Sequence, residues 1–515
     1  VSDRRLSWLC FAATALFYLS FHSYFYNFDG VACAVAVELS DFKHLVHGNH
    51  LAYGVVGWAF WSLWRLLGYR GPALLALQTL DSLLGAGAVA VFYSALRRAR
   101  VDRAVAVSCA AGLAVSHGFW LWSLEAQVYP LGLFFIAWAL REALSDRPRP
   151  ALLGFFHGAA ILGHVGHLMF APAALYALKK RSPDFKKAFA RYVCAGAATV
   201  LPAYLLAGLL AVRPRSGADL RLWLLGSAAL NHERSFAWHG SLGLVNVKEW
   251  ATMTLRLFAD LLWAPESFRW AAVLLALAAL AFAAYGARRA LKGPRRYEAA
   301  LCGLWLAAYA ALYLSWEPHT MVYRLSDLLP LWLLAALAAP ASPWPAAALA
   351  CGLGVFNAVF GVGPKTVPQA NDDYQEAVWL SQTLPDDATV VVTAQGQVYV
   401  PYFAHRRPLN LYYWELRLPE LAAELDARLA RGERVFVTSR TLAQQGREAR
   451  RFFEVYGLSP VTARGDDALY QVAGKKGKPS GSTMNRLKTA PAERNGPNGI
   501  GSERLARPRS IKPRP

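Results

Sequence analysis

Apolar positions run along this chain in long blocks separated by short polar joints. A helix that crosses a bilayer needs about 20 mainly apolar residues. Blocks of that kind occupy 7–26, 72–96, 104–120, 127–144, 188–212, 268–287, 298–316, 322–340 and 344–362. The stretch 151–178 is apolar as well, but it carries His164 and His167 and reads as a hairpin of two short segments. Counting the hairpin twice predicts about eleven crossings. After Pro364 the pattern changes. Helices are expected over 372–384, 419–430 and 442–456, and strands over 389–394, 434–438 and 468–473. This alternation predicts a small α/β domain.

Charge decides the hairpin. Basic residues collect between the blocks, at Arg97, Arg98, Arg100 and Arg103, at Lys179, Lys180 and Arg181, and at Arg288, Arg289, Lys292, Arg295 and Arg296. A single helix over 151–178 would move the Lys179–Lys187 cluster to the opposite side. Two short segments leave every cluster on the side of the N-terminus, which is then cytoplasmic. The segment 28–70 bears Asp29, Glu38, Asp41, Lys43, His44, His47 and His50, followed by an aromatic stretch 51–69 interrupted by Arg65. Keeping Arg97–Arg103 inside requires 28–70 to stay outside, as helices lying along the interface. The loop 213–266, with Trp223, Trp238, Trp250 and Trp263, falls outside too. The first block follows Arg4 and Arg5 and has no clear small-residue cleavage site, so an uncleaved first span is expected rather than a signal peptide.

Composition agrees with lipid as the solvent. Charged residues make up 17% of the chain, against about a quarter in soluble domains. A formal charge of +20 would suit nucleic acid, but it is spread over topology-setting clusters and a tail, so no nucleic-acid partner is expected. The tail 475–515 is rich in Lys, Arg, Pro, Gly, Ser and Asn and is expected to be disordered. The six cysteines are scattered and form no CxxC pair, which argues against a disulfide frame or a zinc site. The domains expected are therefore a transmembrane domain 1–364 with a large first outer loop 28–70, an extracytoplasmic α/β domain 365–474, and the tail. The α/β domain has no GxGxxG, Walker or GxSxG motif.

Ionisable residues beside a membrane are costly and invite a functional explanation. In this topology they gather on the outer side: Asp29, Glu38, Asp41, His44, His47 and His50, then His117 and Glu125, His164 and His167, and Glu317, His319 and Arg324. Each has a plainer explanation. Asp29 can cap the helix that follows it. Glu125 can be a solvated loop carboxylate. His44, His47 and His50 recur every third residue, along one helix face; they suit a metal, or simply an amphipathic helix. His164 and His167 can satisfy each other or backbone carbonyls, and Arg324 can anchor at the interface. The gathering on one side is the stronger signal.

At these residues the chain resembles the multispanning glycosyltransferases of the GT-C fold, and within them the bacterial DUF2723 group related to protein O-mannosyltransferases. The stretches that carry the resemblance are FDGVACAVAVELSDFKHLVHGNHLAYGVVG from Phe28, SLEAQVYPLGLFF from Ser123 and HGAAILGHVGHLMFAPA from His157. They cover roughly the first two hundred residues. The family often has an acidic pair around Gly in the first loop; here Asp29-Gly30 is followed by Val31, leaving Glu38 as the nearest substitute. The resemblance implies an integral protein of the bacterial inner membrane. Its active site would face the periplasm or exterior, moving a sugar with inversion from a polyprenyl-phosphate donor to a protein, glycan or lipid acceptor. It implies Asp29 as catalytic base, with Glu125 and Tyr129 positioning sugar or acceptor. Arg324, His164 and His167 would serve the leaving phosphate, and His50 and Glu38 would complete the substrate site. No nucleotide or other cofactor is implied, and a divalent cation is the one addition left open. Two other readings stand beside it. A transporter or lipid flippase would use the His and Glu residues as a proton relay, although transporter sites lie near the midplane. A non-catalytic assembly or sensor protein would need only an anchor.

Overall fold

A computed structural model of the chain describes residues 2–225, 243–338, 342–393, 395–411, 418–444 and 447–475. Trp238 and the tail beyond Lys475 lie outside the described residues. The chain forms two compact units, 1–367 and 368–515.

The first unit is helical. Helix α1 (Asp3–Leu19) starts at Ser2, whose hydroxyl accepts from the Arg5 amide. It stops seven residues short of the expected end at 26, and Phe21–Asn27 runs without regular secondary structure, with Tyr26 left-handed at φ 45°. The segment 28–70 then forms α2 (Phe28–Glu38), a single turn α3 (Phe42–Leu45) and α4 (Leu51–Leu66). Helix α5 (Ala73–Arg98) lies at the centre of the bundle, with 78% of its apolar window buried. The block expected over 104–120 is bent by 61° between α6 (Arg103–Val115) and α7 (His117–Leu124). At the bend the Ser116 hydroxyl donates back to Gly112 O at 2.7 Å, a bond that draws helices out of line. Helix α8 (Tyr129–Ala143) follows. The stretch expected as a hairpin forms two helices, α9 (Pro150–Gly163) and α10 (Ala171–Arg181), joined by a 3-10 segment Val165–Phe170. Helix α11 (Phe185–Ala207) touches its neighbours on one side only. Its apolar window is 6% buried, and a Cβ on Gly154 of α9 would sit 2.2 Å from Tyr192 O. Then come α12 (Gly217–Leu225), α13 (Leu244–Phe258), α14 (Arg269–Leu291) and α15 (Arg296–Tyr313). A 3-10 segment Met321–Asp327 leads into α16 (Leu328–Ala338), and α17 (Trp344–Phe356) completes the unit.

Among the described residues, five stretches are long and apolar enough to cross a membrane: Ala73–Arg98, Phe185–Val212, Glu266–Leu291, Met321–Ala338 and Trp344–Gly361. The bent α6–α7 pair brings the number to six. The chain is an integral membrane protein. The expected eleven crossings exceed this number because several blocks, α1 and α8 to α10 among them, fold as shorter helices.

The second unit has α18 (Asp372–Thr383), α19 (Gly396–Tyr399), α20 (Leu418–Ala430), α21 (Ser439–Gln444) and α22 (Arg447–Val455). These accompany a five-stranded sheet of order β2-β1-β3-β5-β4. Strands β1 (Thr389–Val392), β2 (Arg407–Asn410) and β3 (Val435–Thr438) are parallel; β4 (Tyr456–Arg464) and β5 (Asp467–Lys475) add an antiparallel hairpin. TVVV and VFVT are buried throughout, as strands covered on both faces must be. The expected helix 442–456 is two shorter helices, and its end at Val455 gives way directly to β4.

Candidate functional site

The site is built where the irregular segment Phe21–Asn27 passes the joint 125–128 between α7 and α8. Glu125 ends α7 and is 1% exposed. One of its carboxylate oxygens accepts from the Ser23 hydroxyl, and the other from the Asn27 amide at 3.1 Å. Gln78 of α5 donates to Ser23 O at 2.9 Å. Asp81, one turn further along α5, accepts from the Tyr53 hydroxyl of α4 at 2.6 Å and from the Gln127 amide at 2.7 Å. The Gln127 side chain donates to Asn27 Oδ1, which also accepts from the Asp29 amide at 2.9 Å and so caps α2. The first turn of α2 presses on this joint backbone to backbone. A Cβ on Gly30 would lie 2.3 Å from Ala126 O, so no other residue fits there without movement.

This framework presents Asp29. Its side chain is accessible, yet desolvation, followed by the charge of Glu317, raises its carboxyl above the ordinary 3.8, against a lowering hydrogen bond from Gln127. An aromatic group lies within electrostatic reach of this carboxylate. The Tyr129 ring lies 5.0 Å from that of His164 and 5.8 Å from that of Tyr323, and Tyr323 stacks on Trp316 at 4.7 Å. Both phenols are within electrostatic reach of Asp29 and Glu317. Glu317 holds a left-handed backbone, φ 47°, and accepts from the Thr320 hydroxyl at 2.9 Å. Burial pushes the Glu125 carboxyl up to about 7, while the bonds from Ser23 and Asn27 and the charge of Lys365 pull the other way.

The structure thus brings Asp29, Glu125, Tyr129 and His164 to one place, but Glu125 faces the chain and acts as a positioning residue. Glu38 is not with them. It lies nine residues along α2 from Asp29, about 13 Å at 1.5 Å per residue, and its carboxylate caps α5 through the Ala73 amide at 2.7 Å. The three loop histidines do not share a helix face, because α3 ends at Leu45 ahead of Gly48 and Asn49. His44 instead pairs with Asp41 at the surface, and His47 and His50 stack across a turn with ring centroids 4.3 Å apart. His167 turns away from His164, their rings 81° apart, and bonds the Tyr309 hydroxyl at 2.8 Å. Arg324 is engaged inside the protein. Asp327 takes its Nε and Nη2 at 3.1 and 3.0 Å, and Trp250 O and Thr254 Oγ1 take Nη1. The expected phosphate partner is therefore a buried ion pair that fastens α13 to the 3-10 segment. Among the described residues no three His, Cys, Asp or Glu side chains are arranged to hold a metal ion.

Sequence reasoning missed Ser23, Asn27, Gln127, Asp81 and Tyr323. It also missed a second fastening of the segment Phe21–Asn27. The Tyr24 amide bonds Lys365 O at 2.8 Å, and the Lys365 ammonium bonds Asp260 at 2.9 Å, with His117 Nε2 3.3 Å from the same carboxylate oxygen. A lysine just past the last apolar block was the one visible signal.

No family model and no curated protein matches the sequence significantly. Solved structures do resemble it. ArnT from Cupriavidus metallidurans bound to undecaprenyl phosphate is similar with a TM-score of 0.63 at 12% identity, over 91% of this chain and 99% of that one. The same protein in the apo state gives 0.60 at 13% identity, over 92% and 100%. The oligosaccharyltransferase of Archaeoglobus fulgidus in complex with zinc and sulfate gives 0.51 at 13% identity, over 90% and 73%. The accessible carboxylate at the head of α2 belongs to a chain with the GT-C fold.

Proposed function

We propose that this protein is a membrane glycosyltransferase that moves a sugar from a polyprenyl-phosphate donor to a hydroxyl acceptor on the extracytoplasmic side. One observation carries the proposal: in a GT-C fold, the accessible Asp29 stands within electrostatic reach of Tyr129 and Tyr323 while the residues around it, Asn27, Gln127 and Gly30, are fixed by bonds or close contact. Asp29 takes the proton of the acceptor hydroxyl as that oxygen bonds the anomeric carbon. The carbon–oxygen bond to phosphate breaks with inversion, and its electron pair leaves on the polyprenyl phosphate. Tyr129 and Tyr323 form the wall against which the sugar rests. ArnT in its complex binds undecaprenyl phosphate, which supports a lipid donor of this class. The sequence resemblance to the DUF2723 and mannosyltransferase-related group supports a hexose such as mannose, and the positive-inside pattern supports a bacterial inner membrane with the site facing the periplasm.

The test is release of radiolabel from polyprenyl-phosphate sugars by the purified protein with a membrane extract. The wild type should release label, and Asp29→Asn should lose at least about a hundredfold in rate with an unchanged thermal midpoint. Equal release by both would remove Asp29 from the role of base. No release with any donor would overturn the proposal.

A further inference from the structure

The α/β unit has a crevice of its own. Strands β1 and β3 are parallel neighbours, but the chain leaves β1 toward β2 at one edge and leaves β3 toward the β4–β5 hairpin at the other. Connections that part in this way open a gap at the carboxyl ends of the strands, where open α/β sheets take their ligands. Here the gap is a cleft lined by Val392 and Thr393 at the end of β1, Thr441 and Gln444 of α21, which follows β3, and Asp373 and Glu376 of α18. Its enclosed part is about 20 Å³, room for one group the size of a water molecule.

The polar groups around this space are short of donors. Asp373 and Glu376 are 13% and 16% exposed and share one guanidinium. Arg440 Nη2 lies 2.9 Å from Asp373 Oδ1, while its Nε stays 3.9 Å from Glu376 Oε2, outside hydrogen-bond distance. The other oxygen of Glu376 accepts from the Thr438 hydroxyl at 2.6 Å. The Thr393 hydroxyl donates to Gln444 Oε1 at 2.8 Å, so its oxygen faces any newcomer as an acceptor. Two carboxylates against one guanidinium leave a negative charge, and Asp467 adds to it at Glu376. Burial outweighs Arg440 and raises both carboxyls above their ordinary values, so each gains from a further cation. Among the described residues no third carboxylate, His or Cys completes a metal site with them. The occupant must be small, rich in donors and positively charged.

We infer that this cleft binds a primary ammonium group, held by Glu376, Asp373 and Thr393. Such a group has the size of a water molecule, three N–H donors and the missing charge. The inference is independent of the transferase reading, since nothing in it draws on Asp29.

The experiment is isothermal titration calorimetry on the full chain in detergent. Tetramethylammonium chloride serves as background salt, because its cation is too large for the cleft. The titrants are methylammonium, ethanolamine, glucosamine, methanol and potassium chloride. Wild type is compared with Glu376→Gln, Asp373→Asn and Glu420→Gln, the last removing a charge at the start of α20, outside the cleft. Methylammonium should bind wild type and Glu420→Gln alike and about tenfold more weakly to each of the other two, the loss of a hydrogen bond between charged groups. Methanol should not bind. Glutamine at 376 still accepts from Thr438, and a thermal midpoint confirms its fold; Asp373→Asn carries the test if that fold fails. Ethanolamine or glucosamine binding more tightly than methylammonium would support the site and show whether a lipid headgroup or an amino sugar carries the ammonium. Potassium or methanol binding as tightly as methylammonium would overturn the assignment, as would equal affinity in all four proteins or no binding to the wild type. None of these outcomes touches the transferase reading, which the label-release assay tests separately.

Discussion

Glu125→Gln separates the structural role of this carboxyl from its charge. The side chain is buried and accepts two hydrogen bonds, from the Ser23 hydroxyl and the Asn27 amide. Glutamine can keep both, because its oxygen accepts from Asn27 while its amide donates to a Ser23 hydroxyl rotated to accept. The joint should therefore survive. What changes is the pH dependence. Burial lifts the carboxyl from an ordinary 4.5 to about 7, so between these values the folded protein holds a proton that the unfolded chain has released. The stability this contributes is complete below pH 4.5 and is lost as pH rises through about 7. A lift of that size is worth about 3 kcal/mol. The assay is the thermal unfolding midpoint in detergent from pH 5 to 8.5, for wild type and Glu125→Gln side by side, so that other titrating groups cancel. The two should nearly coincide at pH 5, with the variant increasingly more stable above pH 6. A gap that stays constant with pH, or opens toward the wild type, would refute the burial argument.

Other outcomes follow from the same geometry. Gly30→Ala should cut label release by tenfold or more and lower stability by about 1–3 kcal/mol, since its Cβ would collide with Ala126 O; kinetics and a melting curve check it. Arg324→Met should destabilise by about 3–5 kcal/mol, the cost of leaving a buried Asp327 unpaired, and Arg324→Met with Asp327→Leu should recover much of it in the same melting assay. Glu38→Gln should retain near wild-type turnover and cost under about 1 kcal/mol as a weakened helix cap. With Asp29 raised above 3.8 and required as the carboxylate, kcat/KM should show one acid limb, falling as pH drops through that raised value; a profile without an acid limb above 3.8 would exclude Asp29 as base.

The apolar blocks were legible because a span is long and its composition is extreme. Their interruptions were not, because serine is no strong breaker: the bend at Ser116 comes from one side-chain bond to Gly112 O and is braced by Trp332 Nε1 on the same hydroxyl. The strand β2 escaped notice as four residues, RPLN, whose Pro408 suits only an edge. The hairpin β4–β5 left a signal that went unread, the Gly465-Asp466 pair with φ 60° at the glycine. Asp29 stood out as an acid directly after an apolar block. Asn27 and Gln127, which hold it, did not, since a neutral amide in a loop has no pattern of its own. The three-residue spacing of His44, His47 and His50 suggested a helix, but Gly48 and Asn49 between them favour the turn that forms.

Asp81 makes the order of assembly matter. It sits inside the first stretch that qualifies as a span, and during synthesis that helix must enter the bilayer carrying a carboxyl group, which at mid-depth disfavours insertion by about 3 kcal/mol. Its two partners, the Tyr53 hydroxyl and the Gln127 amide, flank it in sequence, one made before α5 and one after α7. The span is therefore at ease only once the loop behind it has folded and two further helices have emerged. A nascent chain truncated before Gln127 would be held in the membrane by an unfinished helix, exposed to the quality-control proteases that survey it, and Asp81→Leu would relieve that interval while loosening the mature site.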